Sequence, residues 1–421
     1  MLLKDIQKVI FHKPFMFIFL LLLTVLTATP ILYNTIYILF LWLLFLCFFG
    51  MPWKDKTNKT LKRIWSYSVV YMFISLFYVM IGISQVKMGY CFASFTYFFP
   101  ILGLMAVDSH LNFSQVKLLF YAVVLIIALN ILDSIRISIL NPGVLYQSLN
   151  DGFELIGETK QNVGGAMFVN MVLFYINLMM IAIYNTAKKG ERLFFVICLV
   201  IAVIFIVGFS LKASAVLLAV VSILAQIIAH KGQKNMRAII ITGVALLSLI
   251  VLFRDEIIFL IIDIVGSDRL ASRLLLFVSD SNSMSSGDDS SLTARIDLWI
   301  VSLETWLSSP ISFLFGIGDR NPHDFSSFAA SGIGYHSDFT DVFARYGLIG
   351  AYIFFKTLVL LYKYLKLRYG SEFYYEILVY FILIILMGVT KRFVSGEPAL
   401  TIMFVFPLCL RYLSWSRATH K

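Results

Sequence analysis

One histidine stands where an imidazole could act as a general base. His336 lies in GYHSDFTDVFARYGLIG, directly before a segment with the chemistry of a helix start. Ser337 can cap that helix, and Asp338 and Asp341 fill its first turn. An imidazole at this place is either a general base at the mouth of a cavity or a satisfied capping histidine. Three cations accompany it. Lys212, in GFSLKASAV, sits between two apolar runs with almost no loop between them. An ammonium so close to hydrocarbon either snorkels to the headgroups or clamps an anion. Arg295 and Trp299 in LTARIDLWIVSLETWL are four apart and share a helix face. Arg320 follows the glycine pair of FGIG. The chemistry these residues could do is therefore proton transfer at His336 and anion binding at Lys212, with Arg295 and Arg320 as further outer cations. No metal-ligand spacing, phosphate-binding loop, dinucleotide fingerprint or nucleophile elbow occurs, so neither a metal nor another cofactor is expected.

The elements that hold these residues are membrane spans. The 421-residue chain is 60% hydrophobic and 14% charged, which excludes an ordinary soluble enzyme. Its apolar residues form runs long enough to cross hydrocarbon as helices, not the short alternating segments of a β-barrel. About twelve spans are expected, near 14–30, 31–50, 65–84, 91–107, 117–137, 163–184, 193–210, 213–230, 238–253, 344–365, 373–389 and 399–414. The lysines and arginines of 54–63, 188–192, 231–237, 363–368 and 417–421 all fall on one face, which the positive-inside rule makes cytoplasmic. Lys391 and Arg392 are the exception. The net charge of +10 is thereby explained by topology, and nucleic acid is not expected as a partner. Trp53, Trp65 and Trp415 are expected at the cytoplasmic boundary. Cys47, Cys91, Cys198 and Cys409 read as small buried hydrophobes. The N-terminal apolar run reads as a first span, not a cleaved signal.

This divides the chain into helices 1–9 at 1–253, a large outer loop at 254–343, and helices 10–12 at 344–421. Within the loop, 255–279 reads as a helix on the membrane surface, 281–291 as a flexible Ser/Gly/Asp stretch, and 292–307 as an amphipathic helix ended by Pro310. His323 and His336 are the two outer histidines. His12, His110, His230 and His420 map inside and read as solvated loop residues. Arg136, three after Asp133, reads as a local ion pair.

The order of these motifs resembles the O-antigen polymerase and ligase superfamily of bacterial envelopes. The resemblance rests on SLKASAVLLAV, then LTARIDLWIVSLETWLSSPISFLFGIG, then GYHSDFTDVFARYGLIG entering a span, and covers roughly 160–365. It implies an all-α, GT-C-like polytopic membrane fold with a large periplasmic loop in the bacterial inner membrane. It also implies a metal-independent glycosyltransferase acting on an undecaprenyl-pyrophosphate-linked oligosaccharide. His336 and Asp338 would be catalytic, and Lys212, Arg295 and Arg320 would hold the pyrophosphate. A chain-length regulator and a flippase are the partners it suggests. Two positions depart from the family: Lys212 stands where Arg is usual, keeping the charge without the bidentate fork, and Ser337 where Asn is common. A lipid-linked oligosaccharide flippase, another transporter, and a receptor or scaffold are the alternatives. The charge-free centres of most spans and the long outer loop favour the transferase over transport.

Overall fold

A computed structural model describes residues 13–29, 32, 37, 38, 40–44, 59–85, 97–140, 165–209, 213–231, 292–320, 331–335, 337–391, 393 and 396–418. These residues are helical and contain no strand. The helices are α1 (Lys13–Ala28), α2 (Lys59–Met80), α3 (Pro100–His110), α4 (Phe113–Leu140), α5 (Ala166–Asn185) and α6 (Lys189–Ile204). α6 runs on as a π-turn, Phe205–Phe209, and α7 (Ala213–Lys231) follows. Next come α8 (Leu292–Leu307), α9 (Pro310–Phe315), α10 (Asp338–Thr390), α11 (Gly396–Leu400), a π-turn (Thr401–Val405) and α12 (Phe406–Ala418). Among the described residues, six segments are long and apolar enough to span a membrane: Lys59–Met80, Phe113–Leu140, Met167–Asn185, Lys189–Phe209, Asp338–Thr390 and Glu397–Ala418. The chain is thus an all-α polytopic membrane protein. The span expected at 238–253 and the surface helix expected at 255–279 lie outside the described residues.

α10 is 53 residues long, which at 1.5 Å per residue far exceeds a bilayer. Two breaks resolve the mismatch, at Gly347 (φ 63°, ψ −164°) and Phe373 (φ −133°, ψ 29°). The first separates a short entering piece from a long limb, and the second folds the chain back as a hairpin. Ser337 Oγ donates to the Gly388 carbonyl at 3.0 Å, and the Asp338 N–H to the Lys391 carbonyl at 3.3 Å, so the two ends of α10 meet. Between them the Tyr362 and Phe381 rings pack edge to face at 5.1 Å.

The most enclosed helices are α5 and the segment Glu397–Ala418, whose apolar stretches are 89% and 83% buried. They are the axis around which the others pack, because nearly every face of them is apolar or hydrogen-bonded. α6 by contrast is 28% buried and turns most of its surface outward, as a lipid-facing helix should. Polar groups inside the bundle pair with one another: Asn177 donates to Ser222 and accepts from Gln226, both at 2.8 Å.

The polar contacts sort the helix ends into two layers. One end gathers Asp108, Lys117, Asn185, Glu191, Arg368, Arg411 and Arg417 through ion pairs and hydrogen bonds. The other gathers the 83–85 turn, residues 315–320, the start of α10, Lys391 and Phe393. Arg368 and Arg417, from two of the basic clusters, are among the first group. Two details correct the sequence reading. Trp65 is 6% exposed and packs on Phe99 in the core, so it is not an interfacial anchor. His230 is not a solvated loop residue: it ends α7, stacks on Tyr184 at 4.5 Å and lies 3.9 Å from the buried Glu376 carboxylate. Cys198 and Cys409 are buried thiols as expected, and Cys47 and Cys91 lie outside the described residues. The Arg136–Asp133 pair forms at 2.7 Å.

Candidate functional site

The site is built from the ends of α8, α9 and α10. α8 spans 292–307, the segment expected to be an amphipathic helix. Pro310 does more than end it: Pro310 opens α9, behind a capping box in which Ser309 and Ser312 satisfy each other's backbone N–H groups. α9 ends at Gly316 (φ 73°), and Gly318 (φ 72°) follows, so FGIG is a tight turn that needs both glycines. This turn interlocks with the break in α10. The carbonyls of Ala344 and Arg345 would serve residues 348 and 349 in an unbroken helix. Here the N–H groups of Ile317 and Gly318 donate to them at 2.9 and 2.8 Å. A side chain at Gly316 would strike the backbone of Arg345, and one at Gly347 the backbone of Leu314 and Phe315.

The interlock places a buried polar cluster. Arg345, with 12% of its side chain exposed, has Nε 3.4 Å from Asp319 and Nη2 3.7 Å from Asp341. Its guanidinium lies 5.2 Å from the centre of the Tyr335 ring. Asp341 is 1% exposed and accepts from Ser302 Oγ of α8 at 2.8 Å. That hydroxyl accepts in turn from the Gly334 N–H at 2.9 Å. Tyr346 donates to Asp319 and joins Ser75 of α2 at 2.9 Å. Ser84 accepts from the Asp319 N–H at 2.9 Å. Four separate stretches of chain thus meet through one arginine and two carboxylates. The charges within this group sum to −1, so Arg345 is already matched and has no charge to offer an anion.

Asp338 is 3% exposed, and its carboxylate accepts from the Phe393 N–H. Together with the Lys391 bond it ties Lys391 and Phe393 to the start of α10. Ser337 caps the helix as expected, accepting from the Thr340 N–H at 3.2 Å. Arg320 donates from Nη1 to the Ile83 carbonyl at 3.2 Å, and its own carbonyl accepts from the Tyr335 hydroxyl. Tyr335 has φ 55°, uncommon for any residue but glycine, and it stands directly before His336. The strain falls where the chain turns into α10, a place typical of functional sites.

Arg295 lies in α8, at i with Trp299 at i+4 and Ser302 at i+7. These three positions share one face of the helix. The side chain of Arg295 lies outside the described residues, as do His336, Lys212 and His323. The π-turn after α6 is described to Phe209 and α7 from Ala213, and Lys212 falls between them. A π-turn in a helix is frequently found beside a functional site.

Among the described residues the structure brings Asp338 and Arg320 to the same end of the bundle as α8. Sequence reasoning missed Asp319, Arg345, Tyr346, Ser302 and Ser75, and took Asp341 for a helix-start charge alone. The i,i+4 spacing of Asp341 and Arg345 was the available clue.

Fold and site define an α-helical polytopic membrane protein with a rigid polar assembly at one end. A family model described as O-antigen ligase matches residues 193–355, which supports membership in the O-antigen polymerase and ligase superfamily. The matched stretch runs from α6 through the first membrane limb of α10 and contains Ser302, Asp319, Asp341, Arg345 and Tyr346. None of the curated proteins compared with the chain matches it.

Proposed function

We propose that this protein is a metal-independent glycosyltransferase that polymerises an envelope polysaccharide at the periplasmic face of the bacterial inner membrane. The growing glycan is transferred from undecaprenyl pyrophosphate to a hydroxyl of the next lipid-linked repeat unit. The observation that carries this reading is the coincidence of the family match at 193–355 with the buried assembly of α8, α9 and α10. His336 takes the proton of the acceptor hydroxyl, whose oxygen attacks the anomeric carbon. The bond from that carbon to the phosphate oxygen breaks, and the pyrophosphate leaves with the electron pair. Lys212, Arg295 and Arg320 balance the charge that develops on it. Asp338 steadies the start of α10, and with it the residue two positions before. The buried cluster supports this division of labour, because its single arginine is neutralised and the cations for the leaving group must come from outside it.

The description of the matched family as O-antigen ligase favours a second reading, transfer of the finished glycan to lipid A–core. A null strain separates the two. Loss of a polymerase leaves lipid A–core capped by one repeat unit, a single shifted band on a gel. Bare core with long chains still on the lipid carrier would overturn the polymerase reading in favour of the ligase. Unchanged polysaccharide would overturn both.

A further inference from the structure

The end of the bundle opposite the site carries a second buried charge cluster, between α3, α10 and α12. Arg368 Nη2 and Arg411 Nη1 reach the same carboxylate oxygen, Asp108 Oδ1, at 2.8 and 2.6 Å. Arg411 Nη2 also donates to the Asp108 carbonyl at 3.3 Å. The side chains of Asp108 and Arg411 are each 6% exposed, while Arg368 is 38% exposed. Among the described residues no second carboxylate pairs with either arginine. Two guanidinium groups on one carboxylate leave one positive charge in excess, with the Arg411 end buried and the Arg368 end open to a ligand from outside.

Unused donors surround the same spot. Arg411 Nε and the Tyr364 hydroxyl are buried and have no hydrogen-bond partner. Tyr364 lies within electrostatic reach of Asp108, Arg368 and Arg411. The Arg411 guanidinium stacks 4.4 Å from the centre of the Trp415 ring, and that of Arg368 lies 5.9 Å from Tyr369. Stacking fixes the planes of both forks, and fixed forks suit a tetrahedral oxyanion better than mobile lysines do. Partly exposed Arg368 gives the cluster a way out to the membrane boundary, where headgroup phosphates lie.

We propose that this cluster is a binding site for a singly charged phosphate group. One surplus charge matches a phosphodiester, and basic pockets between spans at a membrane boundary take anionic headgroups in this way. The chemistry is shared by two sources, the headgroup of an anionic phospholipid and inorganic phosphate.

The test uses the full chain, purified and stripped of lipid, with phosphatidylglycerol, phosphatidylcholine and inorganic phosphate titrated separately. Binding is followed by native mass spectrometry and by the thermal transition. Phosphatidylglycerol should bind and raise the transition, and phosphatidylcholine should do so less. Arg368→Gln and Tyr364→Phe should each weaken that binding about tenfold, the loss expected for one hydrogen bond to a charged group. Tyr364→Phe removes a single hydroxyl, so it keeps the test usable if Arg368→Gln folds badly. Binding of inorganic phosphate with the same sensitivity to both variants, and none of phosphatidylglycerol, would support the site with a free ion as its ligand. Binding of every probe unchanged in Tyr364→Phe, or of none to the wild type, would overturn the proposal.

Discussion

Replacing Arg345 by glutamine should damage the protein far more than replacing the acid beside it. Arg345→Gln removes the guanidinium that Asp319 and Asp341 both face, at 15% and 1% side-chain exposure of the two acids. Removing one partner of a buried ion pair costs about 3–5 kcal/mol. Asp341→Asn keeps an acceptor for Ser302 and leaves Arg345 its contact with Asp319. The attraction it forfeits acts across 3.7 Å. At an effective dielectric of 20 that is about 4 kcal/mol before desolvation. Relief of the carboxylate's burial offsets most of this, leaving about 1–2 kcal/mol. The gap between the variants is then about 2–3 kcal/mol, or roughly 30- to 150-fold in the folded-to-unfolded ratio. Thermal unfolding of the two purified variants in one detergent measures it. Arg345→Gln should unfold several degrees lower, and its membrane-inserted yield should fall. Equal transitions would refute the reasoning, because the arginine would then not be what holds the two acids in place.

Four further outcomes are expected. Gly347→Ala should cost about 1–3 kcal/mol from its positive φ alone, and more from collision with the α9 backbone; a wild-type thermal transition would count against the interlock. Lys212→Ala and Arg295→Ala should each abolish glycan transfer in inserted protein, while Lys212→Arg keeps substantial activity, as read from polymer on a gel. Normal activity in Lys212→Ala would leave snorkelling as the whole role of that lysine. His336→Ala should lose activity that His323→Ala keeps, and the purified reaction should persist in EDTA; a strict Mg²⁺ requirement would contradict the mechanism. A single cysteine near Asp288 should react with an impermeant thiol reagent in intact spheroplasts, whereas labelling only near Lys188 would invert the topology.

Hydropathy alone made the membrane class legible, because an apolar run of span length has few other places to go. Charge bias assigns the basic clusters to one face in the same local way, and of them Arg368 joins the Asp108 and Arg411 pair in the folded bundle. Helix-start chemistry is equally local, so the Ser337 cap and the acids after it could be read directly. α8 was legible for the same reason: its periodicity and its ends lie within sixteen residues.

The cluster around Arg345 was not legible in full, because its partners are 4, 26 and 43 residues away along the chain, at Asp341, Asp319 and, through Asp341, Ser302. Nothing in the local pattern of 315–320 says which helix its turn will meet. The two carbonyls freed by the break at Gly347 decide that, since they need donors and the turn after α9 supplies them. Likewise the sequence shows Asp108, Arg368 and Arg411 as three ordinary charges at span ends. Only packing α3, α10 and α12 together sets two guanidinium groups on one carboxylate oxygen. Sequence by itself determined which segments leave water and which residues could ionise beside them. Tertiary structure decided which charges cancel, because Coulomb energy depends on distance in space and burial, and neither is written in the order of the chain.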